Sequence, residues 1–295
     1  MMLIDLTAVR AAWRFLADHP GPVGFAALLY APVFAAQSVW SAKAAVASPG
    51  AAPLAILAAL VGLAIFVVSL SAWGRLALTG DGAGLFAHRL GADEQRLGVV
   101  TLLLFVLTFT VVGTAFLALA FMIAALALIN VDAEAPAPEG RIDVFAMFGP
   151  GEMTVAIIVI GAFALFSLWF FLRLALAYPA TMALGRVQVL TAWPLSRGNR
   201  AAQMLTSVLL ACAPGAVVLV LLNLASNALT GAWPISAASA TDGEAVSVSL
   251  AAFAVMSALQ GVVKIALIGA PAAVVLCHIY ERAAAEDSEV APRAA

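Results

Sequence analysis

Six stretches of this chain, 23–42, 53–74, 97–130, 153–184, 204–229 and 248–280, are apolar over about 20 residues or more. That length crosses a hydrocarbon core of about 30 Å at a helical rise of about 1.5 Å per residue. None of the six contains an aspartate or a glutamate. Lipid offers no partner to backbone N–H and C=O groups, so only helices and closed barrels cross it, and these stretches lack the period-two alternation of barrel strands. The composition agrees, with 10% of residues charged and 64% hydrophobic, where a soluble domain carries about a quarter charged. The expected fold class is therefore all-α: a polytopic membrane protein with six transmembrane helices.

Arginine distribution orients such a bundle. Arg10 and Arg14 precede the first stretch; Arg75, Arg89 and Arg96 lie between the second and third; Arg186, Arg197 and Arg200 lie between the fourth and fifth; Arg282 and Arg293 follow the sixth. The alternate side holds Lys43 and Arg141. By the positive-inside rule both termini are expected in the cytoplasm. The connection 131–152, with five carboxylates, then falls outside, where its acidity reads as an ordinary solvated loop.

Residues 23–36 followed by "WSAKAA" could be read as a cleaved signal peptide. The preceding segment argues for a retained helix instead. Leu6, Val9, Trp13 and Leu16 recur at helical spacing, with Arg10, Arg14 and Asp18 on another face, which predicts an amphipathic interfacial helix. The partition is then 1–22 as the interfacial segment, 23–282 as one six-helix membrane domain, and 283–295 as a flexible cytoplasmic tail.

From the end of the fourth stretch toward the fifth, residues 173–200 read "RLALAYPATMALGRVQVLTAWPLSRGNR". Pro179 removes a backbone donor and disfavours helix at Tyr178, so a kink or break is expected there. Val187, Leu190 and Trp193 predict one face of a short cytoplasmic elbow helix that Pro194 limits; Gly198 ends it in the left-handed region and Asn199 caps the next helix. The third and fourth stretches exceed a 30 Å core at about 50 Å each, so part of each must protrude. Residues 174–184 are expected to pack beneath the membrane on residues 97–105, with Arg173 at headgroup level.

Polar residues inside the stretches are the candidate site. Ser257, Gln260 and Lys264 share a helical face, Asn223 and Asn227 sit one turn apart, and Gln37 lies near the same outer end. A lysine at bilayer depth costs about 3 kcal/mol or more unless it finds a partner, water or a ligand. These six residues therefore outline either a polar cavity, with Lys264 holding an anionic or carbonyl group, or interhelical hydrogen bonding with a snorkelling lysine. Arg10, Arg14, Arg173, Arg197 and Arg200 are candidate headgroup anchors. Cys212 and Cys277 are expected as free thiols, and His19, His88 and His278 lack the local spacing of metal ligands. No cofactor is expected.

The runs "RLALAYPATMALGR" and "AWPLSRGNR", with "AWGRLALTGD", "HRLGADEQR" and "HIYER", resemble a group of uncharacterised bacterial six-helix inner-membrane proteins. That group is loosely similar to the membrane domain attached to some glycerophosphodiester phosphodiesterases. Ser196 stands where the pattern has threonine, and Pro194 interrupts the elbow. The resemblance implies a fold and an inner-membrane location; phosphodiesterase chemistry belongs to a soluble domain of which this sequence has no counterpart.

Zincin, P-loop and nucleophile-elbow motifs are not found in the sequence, and carboxylates at membrane depth, the usual parts of proton relays and intramembrane proteolysis, are missing from the stretches. The expectation is a non-enzymatic protein that organises or senses lipid or partner proteins. Its expected partners are membrane lipids and a protein at the cytoplasmic face, with no nucleic acid. The alternative is a transporter or binding protein for a small amphiphile or anion at Lys264.

Overall fold

A computed structural model describes residues 4–45, 50–80, 91–129, 150–230 and 250–290. Every regular element among them is helical: α1 (Leu6–Asp18), α2 (Pro20–Ala45), α3 (Ala51–Thr79), α4 (Ala92–Ile129), α5 (Pro150–Leu174), α6 (Ala177–Leu184), α7 (Arg200–Thr230), α8 (Leu250–Val263) and α9 (Ala270–Val290). Six spans are long and apolar enough to cross a membrane: α2, α3, α4, α5 with α6, α7, and α8 with α9. Hydroxyls inside them, such as those of Ser38, Ser69, Thr101, Thr110 and Ser167, donate to the carbonyl one turn back, which lets polar side chains sit in apolar surroundings. Residues 131–149 of the 131–152 connection, His88, Arg89 and residues 291–295 lie outside the described residues, whereas 283–290 of the expected flexible tail continue α9 as helix and 150–152 open α5.

Small residues set the closest helix crossings. A Cβ on Gly261 of α8 would meet the Phe34 Cβ of α2 at 3.0 Å and the Ala31 Cα at 3.3 Å, so α2 and α8 touch backbone to backbone. α2 also packs along α3, where Gly62 faces Tyr30 and Val33. The tightest approach joins α7 to the last span: a Cβ on Gly215 would lie 2.6 Å from the Leu267 carbonyl oxygen. At that level Lys264–Gly269 winds as a π-helical turn between α8 and α9, with Ala270 N–H donating to the Ile265 carbonyl. One extra residue per turn widens a helix locally. Here the widened turn faces Gly215, and Cys212 Sγ reaches the Ile268 carbonyl at 3.4 Å.

α4 and α5 stand at the periphery. Only 6% of the most apolar part of α4 and 11% of that of α5–α6 is buried, against 50% for the last span. Phe105, Phe109 and Phe121 point outward, as side chains solvated by lipid do.

The break after α5 falls at Ala175–Leu176, earlier than the sequence suggested, and Tyr178 is helical. Proline's ring clashes with the carbonyl four residues back, which for Pro179 is that of Ala175. Interrupting the helix there moves Pro179 into the first turn of α6, where its missing N–H is not needed. α6 then packs beside the start of α4, with Thr101 Oγ1 3.5 Å from the Tyr178 hydroxyl, and lays Met182 over Gly74 of α3. Leu97, Val100, Leu174 and Leu176 are all buried.

Gly185 (φ 61°) ends α6 and Gly198 (φ 66°) precedes α7, both left-handed turns that glycine adopts without a Cβ penalty. The elbow between them is two 3₁₀ turns, Leu190–Ala192 and Pro194–Ser196. Its inward residues are Gln188, Ala192 and Ser196, whereas Val187 and Leu190 are exposed and only Trp193 of the expected apolar face turns toward the bundle. Ala192 and Ser196 are small enough to lie against the bundle; Leu190 is not.

α1 forms as expected and docks on the bundle by the face opposite Leu6 and Trp13. Asp5 caps it, accepting from the Thr7 and Ala8 amides, while Ala8, Ala12 and Phe15 are buried against α9 and α7. Two alanines allow an approach that Leu6 and Trp13 would prevent. The cap is itself tethered: the Asp5 amide donates to Ser207 Oγ (3.0 Å), and Arg282 donates to the Asp5 carboxylate. Burial pushes that carboxyl up, but the bonds from Thr7, Ala8 and Arg282 outweigh it and hold the group below 3.8. A depressed carboxyl stabilises the fold above its unfolded value, and the contribution is lost as pH falls through the lower folded one. Acid below pH 3.8 should therefore loosen α1, read as thiol labelling of an Ala12→Cys variant on the buried seating face, and Asp5→Asn should abolish that acid transition.

Candidate functional site

The polar residues expected near Lys264 separate into two contacts. Gln260 Nε2 donates to Asn223 Oδ1 at 3.0 Å, joining α8 to α7, and Ser257 is buried on the same span. Lys264 is exposed on the flank toward α2, its ammonium 4.0 Å from the centre of the Phe34 ring. Such a contact is worth about 0.5–1 kcal/mol at an exposed site. Gln37 is half-buried on α2 and joins neither contact; the side chain of Asn227 lies outside the described residues. Thus the structure pairs Asn223 with Gln260 and leaves Lys264 on aromatic carbon, with no carboxylate partner among the described residues.

The arginine-rich end holds most of the ion pairs. Arg75, at the end of α3, is paired with Glu94 in the first turn of α4, and both are buried. Ser71 Oγ accepts from Arg75 (2.9 Å) and donates to Glu94 (3.0 Å), and the other carboxylate oxygen accepts from the Gly91 amide (2.9 Å). The last bond is the returning half of a capping box, an N3 carboxylate reaching the N-cap amide. Asp93 pairs with Arg96 (2.9 Å), and Arg200 of α7 pairs with Glu286 of α9 (2.6 Å). Hydrophobic patterning alone does not reveal Arg75–Glu94. Its available signal is an arginine closing an apolar span with the next acidic pair opening the following helix.

Arg173 binds the elbow. Its Nη1 donates to the Ser196 carbonyl (2.9 Å), and Ser196 Oγ donates back to the Arg173 carbonyl (3.3 Å) and to that of Trp193 (2.9 Å). The guanidinium lies 5.5 Å from the Trp169 ring and 5.9 Å from the Trp193 ring, which meet edge to face. Of the five arginines nominated as headgroup anchors, Arg173 and Arg200 are thus engaged within the protein, and Arg10, Arg14 and Arg197 are exposed. Among the described residues no cluster of three metal-ligating side chains forms, and Cys212 and Cys277 are free and buried. His19 and His278, distant in sequence, line one cleft between α1 and α9.

No protein family, no curated protein and no solved structure matches this chain.

Proposed function

We propose a non-enzymatic integral protein of the bacterial inner membrane, with both termini in the cytoplasm, that organises or senses lipid or a partner protein at its cytoplasmic surface. The observation that carries this reading is the way α1 is held. Asp5 ties its start to α7 and α9, Ala8, Ala12 and Phe15 seat it, and Arg10 and Arg14 are left facing out beside Leu6 and Trp13. A cationic ledge with an aromatic and an aliphatic neighbour, fixed beside apolar spans, suits the headgroup layer, where each cation contributes about 1 kcal/mol toward an anionic surface. Purification in mild detergent should bring down anionic lipid, and Arg10→Gln with Arg197→Gln should lower its share several-fold. An unchanged lipid complement in that variant would refute the reading.

Lys264 favours a second reading, a transporter or binding protein for a small amphiphile or anion, because its ammonium is exposed at the start of the π turn and rests on the Phe34 ring, with no carboxylate partner among the described residues. Labelling of Lys264→Cys in intact cells by a membrane-impermeant thiol reagent separates the two. Reaction supports a water path; protection removes it.

A further inference from the structure

Where α1 crosses α9, beside the last turns of α3, the surface opens into a cleft of about 310 Å³. Two helical faces form its walls: Arg14, Phe15 and Asp18 with the neighbouring His19 from α1, and Val274, Cys277, His278 and Glu281 from α9. Leu76 and Ala77 of α3 close the floor. The charged groups are not consumed by the fold: Arg14, Asp18 and Glu281 are exposed and enter no ion pair among the described residues. This contrasts with Asp5, Arg282, Arg200 and Glu286 close by, all of which are paired.

A simple anion would meet two carboxylates here, and a simple cation would meet a guanidinium. A molecule carrying both signs satisfies the lining. Arg14 and the two imidazoles suit a phosphate, and Asp18 and Glu281 suit an ammonium. The ammonium should be primary, because carboxylates reward N–H donors, whereas quaternary ammonium is recognised by aromatic cages and this cleft offers Phe15 alone. Leu76, Ala77 and Val274 provide an apolar floor for the hydrocarbon attached to the phosphate.

We infer that this cleft seats a phosphoethanolamine group, phosphate toward Arg14, His19 and His278, ammonium toward Asp18 and Glu281. The inference rests on the lipid reading above, since the cleft lies at the arginine-rich end of the bundle. The group could belong to a phospholipid or to free phosphoethanolamine, and the test distinguishes them.

The full chain, purified in mild detergent, is offered equal parts of dioleoyl phosphatidylethanolamine, phosphatidylcholine and phosphatidylglycerol, and retained lipid is read by native mass spectrometry. Phosphatidylethanolamine should be retained about tenfold over phosphatidylcholine, the zwitterion without N–H donors, the effect of about 1.4 kcal/mol of charge-assisted hydrogen bonding, while phosphatidylglycerol reports the exposed arginines. Asp18→Asn with Glu281→Gln should erase that preference without lowering the melting temperature, because neither carboxylate holds the fold together. Displacement of the lipid by free phosphoethanolamine assigns the site to the soluble zwitterion; persistence assigns it to the lipid. Equal retention of phosphatidylethanolamine and phosphatidylcholine, or a preference that survives the double substitution, overturns the inference alone. Retention of no lipid at all overturns it together with the lipid reading.

Discussion

Glu94→Ala is expected to destabilise the protein by about 3–5 kcal/mol, the cost of stranding one member of a buried ion pair. The carboxylate faces Arg75 and Ser71 on α3 and closes the first turn of its own helix through the Gly91 amide. Its removal leaves a guanidinium with 9% of its residue surface exposed, and the other carboxylate facing it among the described residues, Asp93, stands 3.9 Å away and already pairs with Arg96. Glu94→Gln should cost less, because the amide oxygen can still accept from Arg75 or Gly91. Replacing both partners by methionine should recover part of the loss, as buried pairs often tolerate joint apolar replacement. Thermal unfolding in detergent ranks the variants. An alanine variant within about 1 kcal/mol of the parent would show that the pair is screened and contributes as little as a surface bridge.

Gly215→Ala is expected to be the most damaging glycine substitution among the spans, although alanine is the better helix former. The new methyl would lie 2.6 Å from the Leu267 carbonyl oxygen and 2.9 Å from its carbon, and backbone cannot rotate away as a side chain can. Overpacking of this kind costs about 1–3 kcal/mol. Gly161→Ala in α5 provides the control, since a methyl there meets nothing within 4 Å and should gain up to about 1 kcal/mol in helix propensity. Opposite signs at the two positions are the expected result. Equal shifts in melting temperature would mean that α7 and the π turn separate at little cost. Gly74→Ala should fall between them, because the obstacle there is the flexible end of Met182.

Six spans could be read from the sequence because lipid imposes a single demand, about 20 apolar residues with internally satisfied backbone, and imposes it locally. The turns at Gly198 and Pro194 were legible for the same reason, as backbone constraints that travel with the residue. What escaped depends on partners remote in sequence. The π turn at Lys264–Gly269 answers to Gly215, about fifty residues earlier on another helix. Arg75–Glu94 required knowing that α3 and α4 bury their adjoining ends. Hydrophobic spacing marked the Leu6 and Trp13 face of α1 as interfacial, but the face that seats the helix, Ala8 and Ala12, is set by close approach to remote helices. Similarly, Ser257, Gln260 and Lys264 share a face by spacing, yet packing divides it between α7 and α2.

The tether between Asp5 and Arg282 has a consequence for the order of events during synthesis. The two residues are separated by 277 positions, so α1 is made long before the helix that seats it. At ribosomal speeds the wait is on the order of tens of seconds, while the intervening spans enter the bilayer. Through that interval the Ala8–Ala12–Phe15 face has no α9 to cover it, and a membrane surface is the nearest apolar shelter. Any chain arrested before Arg282 would keep α1 undocked, with its seating face open to the quality-control machinery that reads exposed apolar surface. Closure of α1 thus reports that translation has passed through α9.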